Sequence, residues 1–266
     1  MKLNLKKLAG IISLLLVILL LAYLLINNKG DIARVKSIPL SFLAIITILT
    51  LIEFWFNGYM LKILLEPFNI FTKFKEWFGL AAITTFGNYL TFLRGGTSAK
   101  AVYLNRHYKL SFTNFIASVG ASYLITLFTY GFLGIIFSMI MLFYEELFNP
   151  ILFILFILIF IGALFLLIFH PKLPETNNRL LNAISRILSG WNILRKNRIF
   201  VIKFSFLALI LYTVSAIKIF LLYNALSYNI SFLSSAFITL ISNLSIFASI
   251  TPAGLGVREA VVAISS

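Results

Sequence analysis

The sequence predicts an all-α protein, a polytopic membrane helix bundle of about six spans plus one re-entrant segment. Three observations predict it. Hydrophobic residues make up 61% of the 266 residues and charged residues only 11%, and the mean hydropathy is +1.03. Soluble domains carry roughly 25% charged residues, so this chain lacks the polar surface that a soluble core of its size requires. The apolar residues fall in stretches of about 20, the length that crosses a bilayer at 1.5 Å per residue. The charge is also lopsided: 22 Lys and Arg stand against 8 Asp and Glu, a formal +14. In a membrane protein such an excess reports orientation and attraction to anionic lipid before it reports nucleic acid. The whole chain, 1–266, reads as a single integral membrane domain. With no cysteine, disulfides and thiolate metal sites are excluded. Two histidines are too few for a His-rich metal centre, and no metal or cofactor is expected.

The first span is 8–26, nearly all Leu, Ile and Val behind Lys2, Lys6 and Lys7. A signal peptide begins similarly, but no small-residue cleavage site precedes "NNKGD", so the stretch reads as a retained span. The others are 38–60, 115–143, 151–169, 199–226 and 232–250. Residues 77–93, "WFGLAAITTFGNYLTFL", are different: short, rich in small and polar residues, and running straight into "RGGTSAKAVYLNRHYK". Sidedness decides how to read them. The 170–198 connection carries Lys172, Arg179, Arg186, Arg195, Lys196 and Arg198 against Glu175 alone. "YEELFNP" is acidic and "NALSYNIS" uncharged. The basic connection therefore belongs in the cytoplasm, and so does the basic 62–112 region, counting back. Both hold only when 77–93 enters and returns, or lies at the interface. The N-terminus is then cytoplasmic. Lys29, Arg34 and Lys36 fall outside, against the same rule.

"FGNYLTFLRGGTSAKAV" (86–102) and "ISNLSIFASITPAGLGVREAV" (241–261) echo each other. Each runs from an Asn in an apolar stretch to glycines, then to a charged residue and Ala-Val. Asn88 aligns with Asn243, Gly95 with Gly254 and Lys100 with Glu259, although the Asn-to-Gly gaps differ. Duplicated halves with broken helices in corresponding places are a transporter trait; two chance glycine turns look the same. The second turn, "TPAGLGVREA", has two readings. Irregular backbone at membrane depth needs a wet cavity or protein around it, and a helix opening at Arg258 and Glu259 would then offer N–H groups to an anion. Alternatively it is an ordinary cytoplasmic turn.

Two charges fall inside spans, Glu53 and Lys218. Buried ionisable groups face the bundle interior or a water path. Glu53 lies about 15 residues, roughly 22 Å, from the outer end of its stretch, and Lys218 only about 12 Å from the outer end of its own. Direct pairing is therefore not expected. Lys218 is expected to snorkel outward, and Glu53 to be reached by Arg94 or Lys100 from the re-entrant loop. Around "RGG", Arg94, Gly95, Gly96, Lys100 and Arg106 suit a phosphate head group, because glycines expose backbone N–H groups and Arg grips oxygens in pairs. A generic positive-inside loop would carry the same lysines. Residues 172–198 read as an amphipathic surface segment. No GxSxG, P-loop, HExxH or compact carboxylate pair is present, so there is no positive case for an enzyme.

"FLRGGTSAKAVYLNRHYKLSFTNFIASVGASYLITL" (92–127) followed by "SIFASITPAGLGVREAVV" (245–262) resembles the lysylphosphatidylglycerol synthase transmembrane-region family. Pro252, Gly254, Gly256 and Glu259 match its Pro-x-Gly-x-Gly-x-x-Glu turn, and Arg94, Gly95 and Gly96 its earlier Gly-rich block. The resemblance implies an inner-membrane protein handling phospholipid or polyisoprenoid substrates. In bifunctional relatives this region is thought to move aminoacylated phosphatidylglycerol between leaflets, and a separate soluble domain makes that lipid. The sequence shows no such soluble domain, and Ser266 follows the turn closely where the family usually continues, so it reads as C-terminally shortened. The first expectation is a flippase-like protein binding or translocating anionic phospholipid or lipid-linked sugar, with Arg94, Lys100 and Arg258 on phosphate and Glu53 and Glu259 as counter-charges. A membrane transferase, for lipid-linked glycosyl or phosphatidylglycerol lysyl transfer, and a non-catalytic membrane subunit are the alternatives.

Overall fold

The computed structural model describes residues 38–90, 95–144, 148–169, 181–182, 185, 194 and 197–248. The 8–26 stretch, most of the basic 170–198 connection, Arg94 and the 251–260 turn lie outside them. Seven α-helices make up the described chain, with no strand: α1 (Leu40–Leu65), α2 (Phe74–Leu90), α3 (Gly95–Tyr108), α4 (Phe112–Tyr144), α5 (Pro150–Phe169), α6 (Arg198–Ala225) and α7 (Phe232–Ala248). Five of the six expected spans are thus helices, with ends within a few residues of those expected. Four of them, α1, α4, α5 and α6, are long and apolar enough to cross a membrane, and α7 is a shorter apolar helix.

Short polar residues set the helix ends. Asn149 accepts from the N–H groups of Ile151 and Leu152 at 3.1 and 3.2 Å, with Pro150 in the first helical position. Asn197 receives Phe200 N–H at 3.0 Å, Ser111 receives Asn114 N–H at 3.1 Å, and Ser231 receives Ser234 N–H at 3.0 Å. After α1, a 3-10 turn over Glu66–Phe68 and Asn69 in the left-handed region (φ 58°) reverse the chain. α3 ends in the same way: Lys109 has φ 57°, and Leu110 N–H returns to Leu104 O at 3.4 Å.

The bundle has apolar seams inside and an apolar coat outside. Ile63 and Leu64 of α1, Ala121 and Leu124 of α4, and Phe200 and Phe204 of α6 form one buried cluster. Tyr130, Phe156, Tyr212, Ala216 and Leu240 form another, from α4 to α7. These contacts run α1 and α6 antiparallel, since Ile63 lies near Phe204 while Glu53 lies near Ser215. On α5, Ile151, Leu155, Leu158, Ile161 and Phe165 are exposed. Such a face is tolerable when lipid, not water, is the solvent. The chain is a multi-pass membrane protein.

α2 and α3 form a helical hairpin. They pack antiparallel, so the chain runs out along 17 residues and back along 14, about 25 and 21 Å, short of a bilayer. The 77–93 stretch expected to enter and return is one continuous helix as far as residue 90, and α3 makes the return. Gly87 and Gly96 make the close approach feasible: a Cβ on Gly87 would lie 2.6 Å from Gly96 Cα, and one on Gly96 would meet the backbone of Thr84 and Asn88. Only glycine fits at such a crossing. At the open end Glu76 accepts from Lys73 N–H at 2.8 Å and from Tyr103 OH at 3.3 Å. That backbone bond, followed by the bond with Tyr108, holds its carboxyl below the usual carboxylate range. Burial, then Glu76, pushes Tyr108 up to about 12.

Candidate functional site: a polar cavity inside the bundle

Six of the seven helices, all but α5, surround a cavity of about 450 Å³. Its lining is polar for a membrane bundle, and helical spacing explains why. Glu53, Asn57 and Met60 repeat at four and three residues along α1, and Ser122, Thr126 and Tyr130 at four along α4. Thr239 and Asn243 do the same on α7. Residues at this spacing share one helix face, so each apolar helix turns a polar stripe inward.

The charges of the cavity are Glu53, Lys218 and Lys100. Lys218 Nζ donates to Glu53 Oε2, forming a salt bridge. Ser215 Oγ donates to Glu53 Oε1 at 2.7 Å. The side chains are 14% exposed for Glu53 and 24% for Lys218. The expectation that these two would not pair is overturned. It placed the outer ends of the two apolar stretches at one level, but α1 and α6 are 26 and 28 residues long and staggered. From the pair, α1 runs 13 residues back to Leu40 and α6 seven residues on to Ala225, so these two helix ends are offset by roughly 9 Å, the stagger that brings Lys218 level with Glu53. Lys218 therefore turns inward to Glu53 instead of snorkelling, and Glu53 pairs with it rather than with Lys100.

Lys100 shares the cavity but no carboxylate pairs with it among the described residues. Its ammonium lies over the Phe115 ring, 6.0 Å from the centroid, at the limit of a cation–π contact. Part of its surface is accessible because it borders the cavity, yet protein surrounds it. That burial lowers the ammonium to about 8. Among the described residues, two ammonium groups against one carboxylate leave the lining with one net positive charge.

Asn88 joins the hairpin to the cavity. Its Oδ1 accepts from Thr97 N–H at 3.0 Å, capping α3 across the turn, and its Nδ2 donates to Thr97 Oγ1 at 3.2 Å. Asn243 lines the same cavity from α7. The two asparagines aligned in the sequence echo thus face one cavity.

The basic cluster around "RGG" does not stay together. Lys100 lines the cavity, whereas Arg106 is exposed, as are His107 and Lys109. Six residues along a helix turn through about 600°, which sends Arg106 to another face. Gly96 is buried against α2, and Thr97 N–H, which a bare helix start would offer to an anion, already serves Asn88. Arg94, Pro252, Gly254, Gly256, Arg258 and Glu259 lie outside the described residues. Sequence reasoning passed over Ser215, Asn57, Thr84, Thr126 and Thr239. The four-residue recurrence of polar groups in apolar helices was the signal that marked most of them.

The family profile described as Lysylphosphatidylglycerol synthase TM region matches residues 10–265. The chain belongs to that family. No curated protein and no solved structure matches it. Membership makes this a membrane protein of lipid-related function.

Proposed function

We propose that this protein is a flippase-like lipid transporter of the cell membrane, N-terminus cytoplasmic, whose cavity receives the head group of an anionic phospholipid or lipid-linked sugar. The observation that carries the reading is Lys100: an ammonium without a carboxylate partner among the described residues, set in a polar cavity inside a bundle with an apolar coat. Moving a phosphate through hydrocarbon is costly because its hydration is lost. A path lined by ammonium, hydroxyl and carboxamide groups replaces that hydration while the acyl chains stay in lipid. Lys100 contacts phosphate, and Asn88, Asn243 and the cavity threonines accept and donate to the rest of the head group. Arg94 and Arg258 are assigned to phosphate in the same scheme, with Glu259 as counter-charge.

The test uses purified protein in liposomes carrying fluorescent phosphatidylglycerol, with dithionite reporting access to the inner leaflet. Wild type is expected to accelerate equilibration and Lys100→Met to lose most of that acceleration, while Lys75→Ala, on an exposed part of α2, keeps it. Folded wild type without acceleration refutes phosphatidylglycerol transport. Equal rates for wild type and Lys100→Met refute the role of the cavity.

A further inference from the structure

We infer that the cavity selects its head group by hydroxyl groups: it takes a polyol phosphodiester, one negative charge with neutral O–H donors beyond it, and disfavours head groups that carry an ammonium. The inference rests on the reading of the cavity as a head-group site and names the class of head group that the site selects.

The direction of the hydrogen bonds in the lining carries it. Thr84 Oγ1 donates to Leu80 O at 2.6 Å and Ser122 Oγ to Val119 O at 2.7 Å. Thr126 Oγ1 donates to Ser122 O at 2.9 Å and Thr239 Oγ1 to Ser235 O at 2.7 Å. All of these hydroxyls line the cavity. A hydroxyl has one hydrogen and two lone pairs. In an apolar helix the hydrogen goes to the carbonyl one turn back, so the group offers a ligand its oxygen. Asn57 resembles them: its Nδ2 donates to Glu53 O at 2.9 Å, and its Oδ1 can only accept. The acceptors come from α1, α2, α4 and α7, so they line the cavity on several sides.

Charge narrows the choice. Among the described residues the lining carries one net positive charge, because Glu53 is paired with Lys218 and Lys100 has no carboxylate. The single charge of a phosphodiester neutralises it, and the phosphate oxygens suit the three N–H donors of Lys100. Beyond the phosphate the lining calls for donors. A hydroxyl supplies one without charge. Methyl groups, as on choline or a methyl ester, supply none and leave the lining oxygens unpaired, which is how a site built for a hydroxyl rejects an analogue lacking it. An ammonium supplies donors but adds positive charge beside Lys100, and the acid of the lining is already held by Lys218 and Ser215. An aminoacyl ester on the head group brings an ammonium and is disfavoured on the same ground. The volume of about 450 Å³ falls within the range of roughly 300–1,000 Å³ that encloses drug-sized molecules, so phosphate and polyol fit together.

The experiment is calorimetric titration of the detergent-solubilised full chain with dihexanoyl lipids, below neutral pH so that Lys100 is charged. Phosphatidylmethanol, phosphatidylglycerol and phosphatidylinositol carry the same single charge and none, two and five head-group hydroxyls. Lysyl-phosphatidylglycerol adds ammonium groups. Phosphatidylglycerol is expected to bind about tenfold to thirtyfold more tightly than phosphatidylmethanol, the product of two ordinary hydrogen bonds, and more tightly than lysyl-phosphatidylglycerol. Given that preference, phosphatidylinositol bound at least as tightly as phosphatidylglycerol assigns the site to a sugar-like ring, and weaker binding assigns it to a glycerol-sized group; either supports the inference. Thr84→Val/Thr126→Val removes two acceptors at nearly constant shape and should bring the preference over phosphatidylmethanol below about threefold. A preference that persists in full overturns the assignment to these hydroxyls. Equal affinity of wild type for phosphatidylmethanol and phosphatidylglycerol overturns selection by hydroxyl and leaves the transporter reading standing. Lysyl-phosphatidylglycerol bound as tightly as phosphatidylglycerol, or more so, overturns the exclusion of ammonium. Failure of folded wild type to bind any of these lipids overturns the head-group site itself. The wild-type series needs no variant to fold.

Discussion

Removing Lys218 should expose how strongly the bundle depends on its internal ion pair. Lys218→Met keeps the stem volume but leaves the Glu53 carboxylate with Ser215 as its only side-chain hydrogen-bond donor among the described residues. Breaking a buried pair costs about 3–5 kcal/mol, because the partner stays behind as an uncompensated charge. Glu53 is 14% exposed and borders the cavity, so partial hydration puts the expected loss near the lower end, about 3 kcal/mol. That is roughly a 150-fold change in the unfolding equilibrium. The double variant Glu53→Gln/Lys218→Met removes both charges, and its carboxamide can still accept from Ser215. It should lie within about 1 kcal/mol of wild type, since a neutral, well-packed replacement of a buried pair is often tolerated. The assay is reversible unfolding in mixed detergent and dodecyl sulfate micelles, followed by tryptophan fluorescence; Trp55 and Trp77 pack edge to face on α1 and α2. A coupling energy above about 2 kcal/mol in the double-mutant cycle is expected. A Lys218→Met loss under about 0.5 kcal/mol, or a double variant equal to the sum of the singles, would show that the two charges do not hold each other.

Further outcomes follow from the hairpin and from Lys100. Gly96→Ala places a methyl group against the backbone of Thr84 and Asn88 and should destabilise by about 1–3 kcal/mol or more. Gly79→Ala, with nothing within 4 Å of the added carbon, should be neutral or stabilising by up to about 1 kcal/mol in the same melt. Asn88→Ala removes the cap on Thr97 N–H and should cost about 1–2 kcal/mol. With Lys100 lowered to about 8 by burial, lipid-flipping rate should be steady below pH 7 and fall as pH rises through about 8, a step absent in Lys100→Met. Stability runs the other way. Between about 8 and the ordinary lysine range the unfolded chain holds a proton that the folded chain has released, so this group makes the protein more stable as pH rises through that window.

The helices were legible in the sequence because lipid makes the rule simple: a stretch of about 20 apolar residues has few alternatives to a helix. α4 and α5 illustrate it, and Asn149-Pro150 marked the boundary between them. The hairpin was legible only in part: the positive charges on both sides of 77–93 signalled a segment that does not simply cross, but the return helix α3 was read as a basic loop. The pairing of Glu53 with Lys218 was not, because it depends on a stagger between α1 and α6 that packing decides. Gly96 is a case of the right residue for another reason: its glycine identity signalled a special position, but the need is contact with Thr84 and Asn88, a neighbour relation the sequence does not print. Arg106 shows the opposite. Closeness in sequence to Lys100 suggested a shared site, and helical rotation separates them.

Photo-crosslinking would test the head-group site most directly. A phosphatidylglycerol analogue with a diazirine on its glycerol head group would be incorporated with the full chain into liposomes, irradiated, and its adducts mapped by peptide mass spectrometry. Adducts are predicted on cavity residues such as Asn57, Asn88, Lys100 and Asn243, reduced by excess unlabelled phosphatidylglycerol and lost near Lys100 in Lys100→Met. Labelling confined to exposed positions such as Phe71 and Phe74, undiminished by competitor, would contradict the account.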